Sequence, residues 1–335
     1  MDSSWQPTAE LNTLVQRDRL LQALRRYFTD SGSLEVQTPA LSAAGTTDPH
    51  IDSFSVAVAE AGGSPVYAWL HTSPEFAMKR LLAAHANDIH QFATVFRYDE
   101  SGKHHLREFT LLEWYRVGYR LSDLLNDALN IVNAACAVMK RSPVKLNTVS
   151  YQDEVKRLCG VYPHDVTLPI IEKVFDHQHR SFPDSLRVPE PTSSDVSDAL
   201  TLLVDEFVVR NFSSTELTAL IEYPADQASL AKLGYHEDGH AVACRAELFF
   251  GAVELANGFE ELTDADEQSA RFKQDNAIRA AKGKTTVPHD ERLIDALHEG
   301  LPDCAGMALG IDRLLMVLGG YTHLSQVVAF ADSNA

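Results

Sequence analysis

Several segments of the chain place apolar residues at the spacing of an α-helix. In residues 11–30 the apolar side chains recur every three or four positions, which predicts an amphipathic helix. A helix is also predicted for TSPEFAMKRLLAA, with Ser73 as its N-cap and Pro74 at its first helical position. Further helices are expected over 121–140 and, with a more polar surface, over 264–283.

Other segments show the two-residue alternation of β-strands. LEVQTPAL is expected to form a half-buried strand that ends at Pro39, because proline cannot donate to a strand ladder. Residues 52–58 and 66–71 are predicted strands joined by a turn over AEAGGSP. Strands over 90–97 and 107–115, with a hydrophilic loop between them, predict a long antiparallel hairpin.

The second half of the chain contains two apolar, glycine-containing segments. ACRAELFFGAVELANGF predicts paired strands, and GMALGIDRLLMVLGG predicts a strand that runs into a helix. Residues 141–240 give weaker signals, which indicate helical pieces and a Pro/Ser-rich loop at 183–197. Because strands and helices mix without a steady βαβ alternation, we predict an α+β fold in a single domain over 1–335, with an antiparallel sheet flanked by helices.

The composition is that of an ordinary globular protein. The 335 residues are 45% hydrophobic and carry a net charge of −18, which disfavours general nucleic-acid binding and would suit a basic protein partner. Neither a membrane span nor a secretory signal is expected. The cysteines lie far apart in sequence, so we expect reduced thiols and a cytoplasmic location.

Three short motif matches lack the context that their chemistry requires. HEDGH at 236–240 fits the H-E-x-x-H zinc pattern, but Asp and Gly are poor formers of the helix that this site needs, so a polar loop is predicted. GKT at 283–285 resembles the end of a Walker A loop, but Ile278 stands where that loop needs glycine. His177 and His179 are interpreted as a solvated pair.

The stretch FRYDESGKHHLREFTLLEWYR, residues 96–116, combines cations, carboxylates and aromatic rings. A metal, a nucleic acid or a nucleoside triphosphate could each require this mixture, and an amphipathic hairpin with solvated charges is the structural alternative. For ATP, Arg97 could bind a phosphate bidentately and Asp99 could hold the amine edge of the base. Phe109 could stack on adenine, and His105 on the loop could reach the terminal phosphates.

Two later segments could supply the other parts of an ATP site. In GMALGIDR the glycines allow a ligand to approach closely, and Arg313 at the helix start could cover adenine or reach the γ-phosphate. Glu247 and Glu254 could hold Mg²⁺ between ATP phosphates, since Mg²⁺ binds few carboxylates together with substrate oxygens.

In this order, the segments resemble the three motifs of the class II aminoacyl-tRNA synthetases. Motif 1 corresponds to about 20–41 and builds the dimer interface in that family, so the resemblance implies a homodimer. Motif 2 corresponds to about 96–115, with F-R-Y-D at 96–99 and H-L-R-E-F at 105–109. Motif 3 corresponds to about 304–319 and contains G-I-D-R.

TSPEFAMKRL, EFTLLEWY and ELANGFEELTD resemble lysyl-tRNA synthetases more narrowly. The anticodon-binding OB-fold domain of those enzymes has no counterpart ahead of motif 1, so no tRNA substrate is expected. With WQP near the start and PDCAGMALGIDR near the end, the chain resembles the elongation factor P–β-lysine ligase family, and 141–240 is expected to be partly an insertion. The resemblance implies an AMP-forming ligase that uses ATP and Mg²⁺ to activate (R)-β-lysine, or lysine, and transfers it to a lysine of elongation factor P.

The resemblance also implies roles for individual residues. Glu261 is expected to bind the ε-ammonium group of the substrate and Glu75 the other, while the methyl group of Ala308, in place of glycine, favours the β-isomer. Arg97 and Arg313 are the expected catalytic residues. The expected amino-acid site comprises Ser73, Pro74, Glu75, Tyr115, Glu261 and Ala308. The expected ATP site comprises Arg97, Tyr98, Asp99, His105, Leu106, Phe109, Glu254, Leu255, Gly310 and Arg313, with Glu247 and Glu254 as Mg²⁺ ligands.

The chain departs from the ligase pattern at three places. The usual R-N-E is R-Y-D at 97–99, H-N-P-E-F is H-L-R-E-F, and H-E-L-T is E-E-L-T, which adds Glu260 beside the expected pocket. Three functions therefore stay open. They are a β-lysine ligase for elongation factor P, another class II-like amino-acid ligase or residual lysyl-tRNA acylator, and a non-catalytic regulatory paralogue.

Overall fold

The computed structural model describes residues 5–58, 66–332 and 334–335, so the predicted turn over AEAGGSP lies outside the described residues. The chain divides into two compact units, one formed by Met1–Val144 with Glu260–Ala335 and the other by Lys145–Phe259. That they act as a single catalytic domain stays a prediction. In the described part of the chain, no helix is both long and apolar enough to cross a membrane.

The helices alternate between the two units along the chain. The first unit contains α1 (Leu11–Asp30), α2 (Glu75–His85) and α3 (Leu121–Val138). The second unit contains α4 (Tyr151–Cys159), α5 (Leu168–His177) and α6 (Ser193–Phe207). The chain then returns to the first unit with α7 (Ala265–Ala281), α8 (Glu291–Gly300) and α9 (Ile311–Gly319).

The strands follow the same division. The first unit contains β1 (Leu34–Glu35), β2 (Leu41–Ser42), β3 (Ser55–Val58), β4 (Val66–Leu70), β5 (Ile89–Phe96) and β6 (Glu108–Val117). The second unit contains β7 (Leu146–Ser150), β8 (Leu217–Pro224), β9 (Leu233–Tyr235), β10 (Ala241–Phe250) and β11 (Val253–Glu260). The first unit also contains β12 (Cys304–Gly310).

The main sheet of the first unit is built on the predicted hairpin. β5 and β6 pair antiparallel, from Ile89 opposite Tyr115 to Phe96 opposite Glu108. β12 adds to β6 antiparallel and β1 adds to β5 parallel. Separately, β2, β4 and β3 form a small antiparallel sheet. The helices and this mostly antiparallel sheet confirm the predicted α+β class.

The two faces of the β5–β6 hairpin have different roles. Trp114 is fully buried, and Phe28 of α1 packs against it and against His90, with ring centroids 5.8 Å and 4.3 Å away. Burial of side chains of this size contributes about 1.5–3 kcal/mol each, so this face anchors α1 to the sheet. Successive strand residues point to opposite faces, so Glu113 and Tyr115 lie on the other face.

The second unit has its own set of paired strands and its own buried core. β10 pairs antiparallel with β8, β11 and β9, and β7 pairs parallel with β8. α4, α5 and α6 contribute apolar side chains to one buried cluster with residues of this sheet. The β10–β11 pair confirms the strands predicted from ACRAELFFGAVELANGF.

Several predicted boundaries are wrong. The strand expected over LEVQTPAL is reduced to the two-residue strands β1 and β2. Between them the backbone N–H of Thr38 binds the Gln91 side chain instead of a neighbouring strand. The loop predicted at 183–197 ends where α6 begins, because Thr192 caps this helix by accepting from the N–H of Asp195.

Other differences are smaller. α2 begins at Glu75 rather than Pro74, although Ser73 Oγ still accepts from the N–H of Glu75, at 3.0 Å. The strands β7 and β8 were not predicted within the weak 141–240 region. β8 is largely buried and therefore has an apolar run without clear alternation. HEDGH forms the predicted polar loop, and the cysteines are free thiols as expected.

Candidate active site

One face of the β6–β12 pair carries chemically active side chains beside very small ones. Glu113 lies opposite Ala308, and Tyr115 lies opposite Gly306. A Cβ atom added to Gly306 would lie 2.3 Å from the Tyr115 ring and 2.7 Å from Glu261 Oε1. Glycine is therefore needed at position 306 to leave room for both side chains.

A buried group of three carboxylates and one lysine lies on this face. Lys79 Nζ lies 2.7 Å from Glu75 Oε1 and 2.6 Å from Glu261 Oε2. Glu113 accepts hydrogen bonds from Ser73 Oγ at 2.6 Å and from the hydroxyl of Tyr115 at 2.7 Å. The structure thus brings together Ser73, Glu75, Tyr115 and Glu261, which the sequence predicted, with Lys79 and Glu113, which it did not.

The positions of these side chains follow from local sequence spacing and from backbone contacts. Glu75 and Lys79 are four residues apart on α2, so their side chains meet on one face of the helix. Pro74 is buried just before this helix, and Ser73 links the helix start to β6 through Glu113. Glu261 is fixed by its own backbone, since its N–H donates to the carbonyl of Cys304 at 3.0 Å.

Burial dominates the electrostatics of the cluster. It raises the pKa of Glu113 to about 7, with a further increase from the charge of Glu75. Burial likewise raises the pKa of Glu261, to about 8, against the opposing attraction of Lys79. Burial lowers the pKa of Lys79, but the charges of Glu261 and Glu75 outweigh it, so the net pKa lies above its ordinary value.

Glu260 does not join this cluster, although the sequence placed its extra carboxylate beside the pocket. Its Oε1 accepts from the N–H of Leu121 at 3.0 Å, and its Oε2 accepts from Arg120 at 3.2 Å. The departure from H-E-L-T therefore stabilises the start of α3, because a carboxylate there satisfies a free N–H group.

The motif 2 residues lie at the end of the hairpin. Arg97 follows β5 directly, and its N–H still pairs with the carbonyl of Arg107 at 2.9 Å. The guanidinium group of Arg97 lies over the Phe109 ring, 5.1 Å from its centroid, and pairs with Glu100 at 2.8 Å. In this structure a cation therefore covers the ring that was expected to stack on adenine.

Tyr98 and Asp99, the altered residues of motif 2, lie against a neighbouring loop. The N–H of Tyr98 donates to the carbonyl of Asp52 at 2.8 Å, and the Tyr98 ring packs edge-on against Phe54. A hydrogen bond with Asp52 raises the pKa of Asp99. Asp52 is in turn held by Arg279 at 2.6 Å.

The loop of motif 2 divides its residues between solvent and core. His105 is exposed at a tight turn, where its carbonyl accepts from the N–H of Gly102 at 3.0 Å. Leu106 is buried. Its side chain therefore serves packing in this structure.

Motif 3 joins β12 to α9. Gly310 is the N-cap of this helix, and Arg313 Nε donates to the carbonyl of His104 at 3.1 Å. Asp312 is buried, pairs with Arg17 of α1, and accepts from the N–H of Thr110 at 2.8 Å. The G-x-D-R pattern thus contains a structural carboxylate beside its candidate catalytic arginine.

The candidate metal ligands lie in the second unit. Glu247 is on β10 and Glu254 on β11, where Glu254 lies opposite Phe249, so both carboxylates share one face of this pair. Burial raises the pKa of Glu247, with opposition from Arg245 and support from Glu254. Leu255 is buried. Among the residues described, no group of three or more histidine, cysteine or acidic side chains is arranged to hold a metal ion.

Lys79 and Glu113 are the functional candidates that sequence reasoning missed. Their signals were present, since Lys79 follows Glu75 by four residues and Glu113 precedes Tyr115 by two. The first spacing predicts a shared helix face and the second a shared strand face. Only the tertiary structure shows that the two faces meet.

Comparison with known proteins identifies a family and close relatives in sequence. Residues 6–334 match the family of class II tRNA synthetases (D, K and N). The chain is 41% identical to the elongation factor P–(R)-β-lysine ligase of Vibrio parahaemolyticus, over 98% of both chains. It is 39% identical to the ligases of the same name from Salmonella dublin and Salmonella typhimurium, over 99% of each chain.

Proposed function

Because the chain belongs to the class II tRNA synthetase (D, K and N) family, we propose that it is an ATP-dependent, AMP-forming ligase that activates (R)-β-lysine and transfers it to a lysine of elongation factor P. The names of the relatives support both the amino acid and the acceptor.

The observation that carries the proposal is the buried cluster of Glu75, Glu113, Glu261 and Lys79. Three carboxylates and one ammonium group leave a formal excess of two negative charges. A diamino acid carries two ammonium groups, so its charge complements this excess. A pocket for an amino acid with an apolar side chain would gain nothing from buried carboxylates, which are costly without a cationic partner.

The proposed reaction has two steps. In the first, a carboxylate oxygen of β-lysine attacks the α-phosphorus of ATP, an O–P bond forms, and pyrophosphate leaves. In the second, the neutral amine of the acceptor lysine attacks the carbonyl carbon of the mixed anhydride and a C–N bond forms. The acyl C–O bond to AMP breaks, AMP leaves with its electrons, and the nitrogen loses a proton to solvent to give the amide. The first step needs little acid–base catalysis, so positioning and charge neutralisation provide most of its acceleration.

Arg97 is the proposed stabiliser of negative charge at the α-phosphate. It would exchange its ion pair with Glu100 for a phosphate, since a guanidinium group binds phosphate bidentately. Phe109 and Arg313 are proposed to enclose the adenine, with Gly310 leaving space. Glu247 and Glu254 are proposed to hold Mg²⁺, which neutralises phosphate charge when bound, and a pair of carboxylates fits an ion that takes its other ligands from phosphate and water.

A homodimer is also proposed, through motif 1. Leu34 and Leu41 on its short strands are 58% and 43% exposed, and Tyr67 on β4 is 62% exposed. A dimer interface over these strands would remove these large apolar side chains from water, which favours association. Sedimentation of the purified protein over a range of concentrations tests this, and a monomer at all concentrations would contradict it.

ATP–pyrophosphate exchange tests the proposed activation. We expect exchange to be strongest with (R)-β-lysine when it is compared with α-lysine and the other amino acids. Arg97→Ala should reduce exchange by about 10²–10³-fold, the usual effect of losing one stabilising donor. Arg157→Ala is the matched control, because Arg157 is exposed and pairs only with Glu154 in the described contacts of α4.

The outcomes separate the open alternatives. Strongest exchange with another amino acid would indicate a different class II-like ligase, and transfer to tRNA would indicate a residual acylator. A folded wild-type protein without exchange for any amino acid would indicate a regulatory paralogue.

A further inference from the structure

Lys79 is the most deeply buried cation of the candidate amino-acid site. Its side chain is 1% exposed, yet its ammonium group contacts two carboxylates at salt-bridge distance. One of them, Glu75, is on the same helix, and the other, Glu261, is more than 180 residues away in sequence. Lys79 therefore ties α2 to the segment that follows β11.

A buried ammonium group is costly unless its partners compensate for lost hydration. The charged and titratable groups around it come from each neighbouring element. α2 contributes Glu75, β6 contributes Glu113 and Tyr115, β12 contributes Cys304, and the segment between β11 and α7 contributes Glu261. Nearly all of this surrounding charge is negative, so Lys79 is the internal cation that allows three carboxylates to lie close together.

Packing leaves these carboxylates little freedom to rearrange. Glu113 is held by Ser73 and Tyr115, and Glu261 lies against the position that a Gly306 side chain would occupy. Without a cation between them, Glu75 and Glu261 could reduce their repulsion only by moving or by taking up protons.

We infer that Lys79 is a positioning residue of the amino-acid site, which holds the carboxylates of Glu75 and Glu261 at a fixed separation, favours the ionised form of Glu261, and so makes the pocket selective for amino acids with two ammonium groups. This inference rests on the proposed function. Lys79 contacts the carboxylates that bind the substrate, so it acts on the substrate through them.

Loss of this charge has a defined consequence. With Lys79 replaced by a neutral residue, the carboxylates hold protons to higher pH, and these protons compete with the substrate ammonium groups. Binding of the diamino acid should therefore weaken near neutral pH and recover as the pH rises. ATP binding does not involve these carboxylates and should change little.

The experiment measures kcat/KM for β-lysine and for ATP between about pH 6 and 9, in the exchange assay, for the wild type and Lys79→Met. A shift of about one pH unit to higher pH corresponds to about a tenfold loss of kcat/KM for β-lysine at neutral pH. KM for ATP should stay within about twofold. Lys79→Arg keeps the charge and should keep the wild-type midpoint, even if its longer side chain lowers activity.

Arg80→Met is the matched control, because it removes a cation from the exposed side of the same helix and should leave both profiles unchanged. If Lys79→Met does not fold, Lys79→Gln replaces it, with the same expected shift. A folded neutral variant with the wild-type midpoint for β-lysine would overturn the inference. Absence of β-lysine exchange in the wild type would instead overturn the proposed function.

Discussion

Gly306 and Tyr115 face each other across β12 and β6 so closely that a methyl group on Gly306 would lie 2.3 Å from the tyrosine ring. Tyr115 is buried and donates to Glu113, so it cannot move away without breaking that hydrogen bond. This contact fixes the width of the candidate amino-acid pocket.

Gly306→Ala should therefore damage the pocket and the fold together. Overpacking of this kind costs about 1–3 kcal/mol of unfolding free energy. We expect kcat/KM for the amino acid to fall by at least about tenfold, because a displacement of the ring also displaces Glu113. Denaturant unfolding measures the loss of unfolding free energy, and ATP–pyrophosphate exchange kinetics measure the loss of kcat/KM. Wild-type stability together with wild-type kcat/KM would contradict the close contact between residue 306 and Tyr115.

Ala308 should influence the choice between β-lysine and α-lysine. Its backbone lies opposite Glu113, and its methyl group packs beside Phe109 against Ala93, Val95 and Leu111. Ala308→Gly would deepen the pocket wall by one methyl group. We expect the ratio of kcat/KM for α-lysine to that for β-lysine to rise about tenfold, the effect of one methyl-sized change in a specificity pocket. An unchanged ratio would mean that this wall does not contact the substrate.

The pH dependence of stability should reveal the buried carboxylates. Because burial raises the pKa of Glu113 to about 7, the folded protein binds a proton that the unfolded chain loses near the ordinary glutamate pKa. Its stabilising contribution is present at low pH and is lost as the pH rises through about 7. We therefore expect Glu113→Gln to flatten the decrease in unfolding free energy between about pH 4.5 and 7.

Binding of the amino acid should also depend on the protonation of these carboxylates. Its affinity should rise with pH, whereas the stabilising contribution of Glu113 falls. A diamino acid favours the ionised carboxylates, so binding should release protons and strengthen as the pH rises through about 7. Titration calorimetry in buffers of different ionisation enthalpy measures this release. Identical heats in all buffers would show that Glu113 and Glu261 are already ionised in the free protein.

Arg279 should be essential for the loop that carries Asp52. It is 3% exposed and donates to the carbonyls of Asp48 and Thr285 as well as to Asp52. Arg279→Met leaves these acceptors unpaired and should cost about 3–5 kcal/mol of unfolding free energy. Lys284→Met removes a more exposed partner of Asp52 and should cost about 1 kcal/mol or less. Urea denaturation compares the unfolding free energies of the two variants. Equal losses of stability would contradict the greater importance assigned to Arg279.

The same network should affect nucleotide binding. Asp52 accepts from the N–H of Tyr98 and hydrogen-bonds with Asp99, so disturbing it displaces the altered part of motif 2. A folded Arg279→Met protein should show a higher KM for ATP and a nearly unchanged KM for the amino acid.

Local patterns predicted the elements that carry the candidate site. The hairpin of β5 and β6, the strand-to-helix passage through Gly310, and the Glu75-containing helix each follow from a periodicity within one segment. The strand β8 escaped prediction because a mostly buried strand lacks the alternation that identifies a half-exposed one. The strand β7 escaped it because its two apolar residues, Leu146 and Val149, are three positions apart and do not alternate.

The resemblance to a family identified Ser73, Glu75, Tyr115 and Glu261 as a group, and the structure places them together. Their binding roles stay predictions. The buried position of Lys79 could not be predicted from the sequence, because a lysine at helical spacing from a glutamate usually forms a surface ion pair. Its burial depends on Glu261, which only the tertiary structure brings close.

The most direct test of the central claim is the mass of elongation factor P after incubation with this protein, ATP, Mg²⁺ and (R)-β-lysine. We predict an increase by one β-lysyl group on a single lysine, dependent on ATP and lost with Arg97→Ala. An unchanged mass, in a preparation that catalyses β-lysine-dependent ATP–pyrophosphate exchange, would contradict elongation factor P as the acceptor.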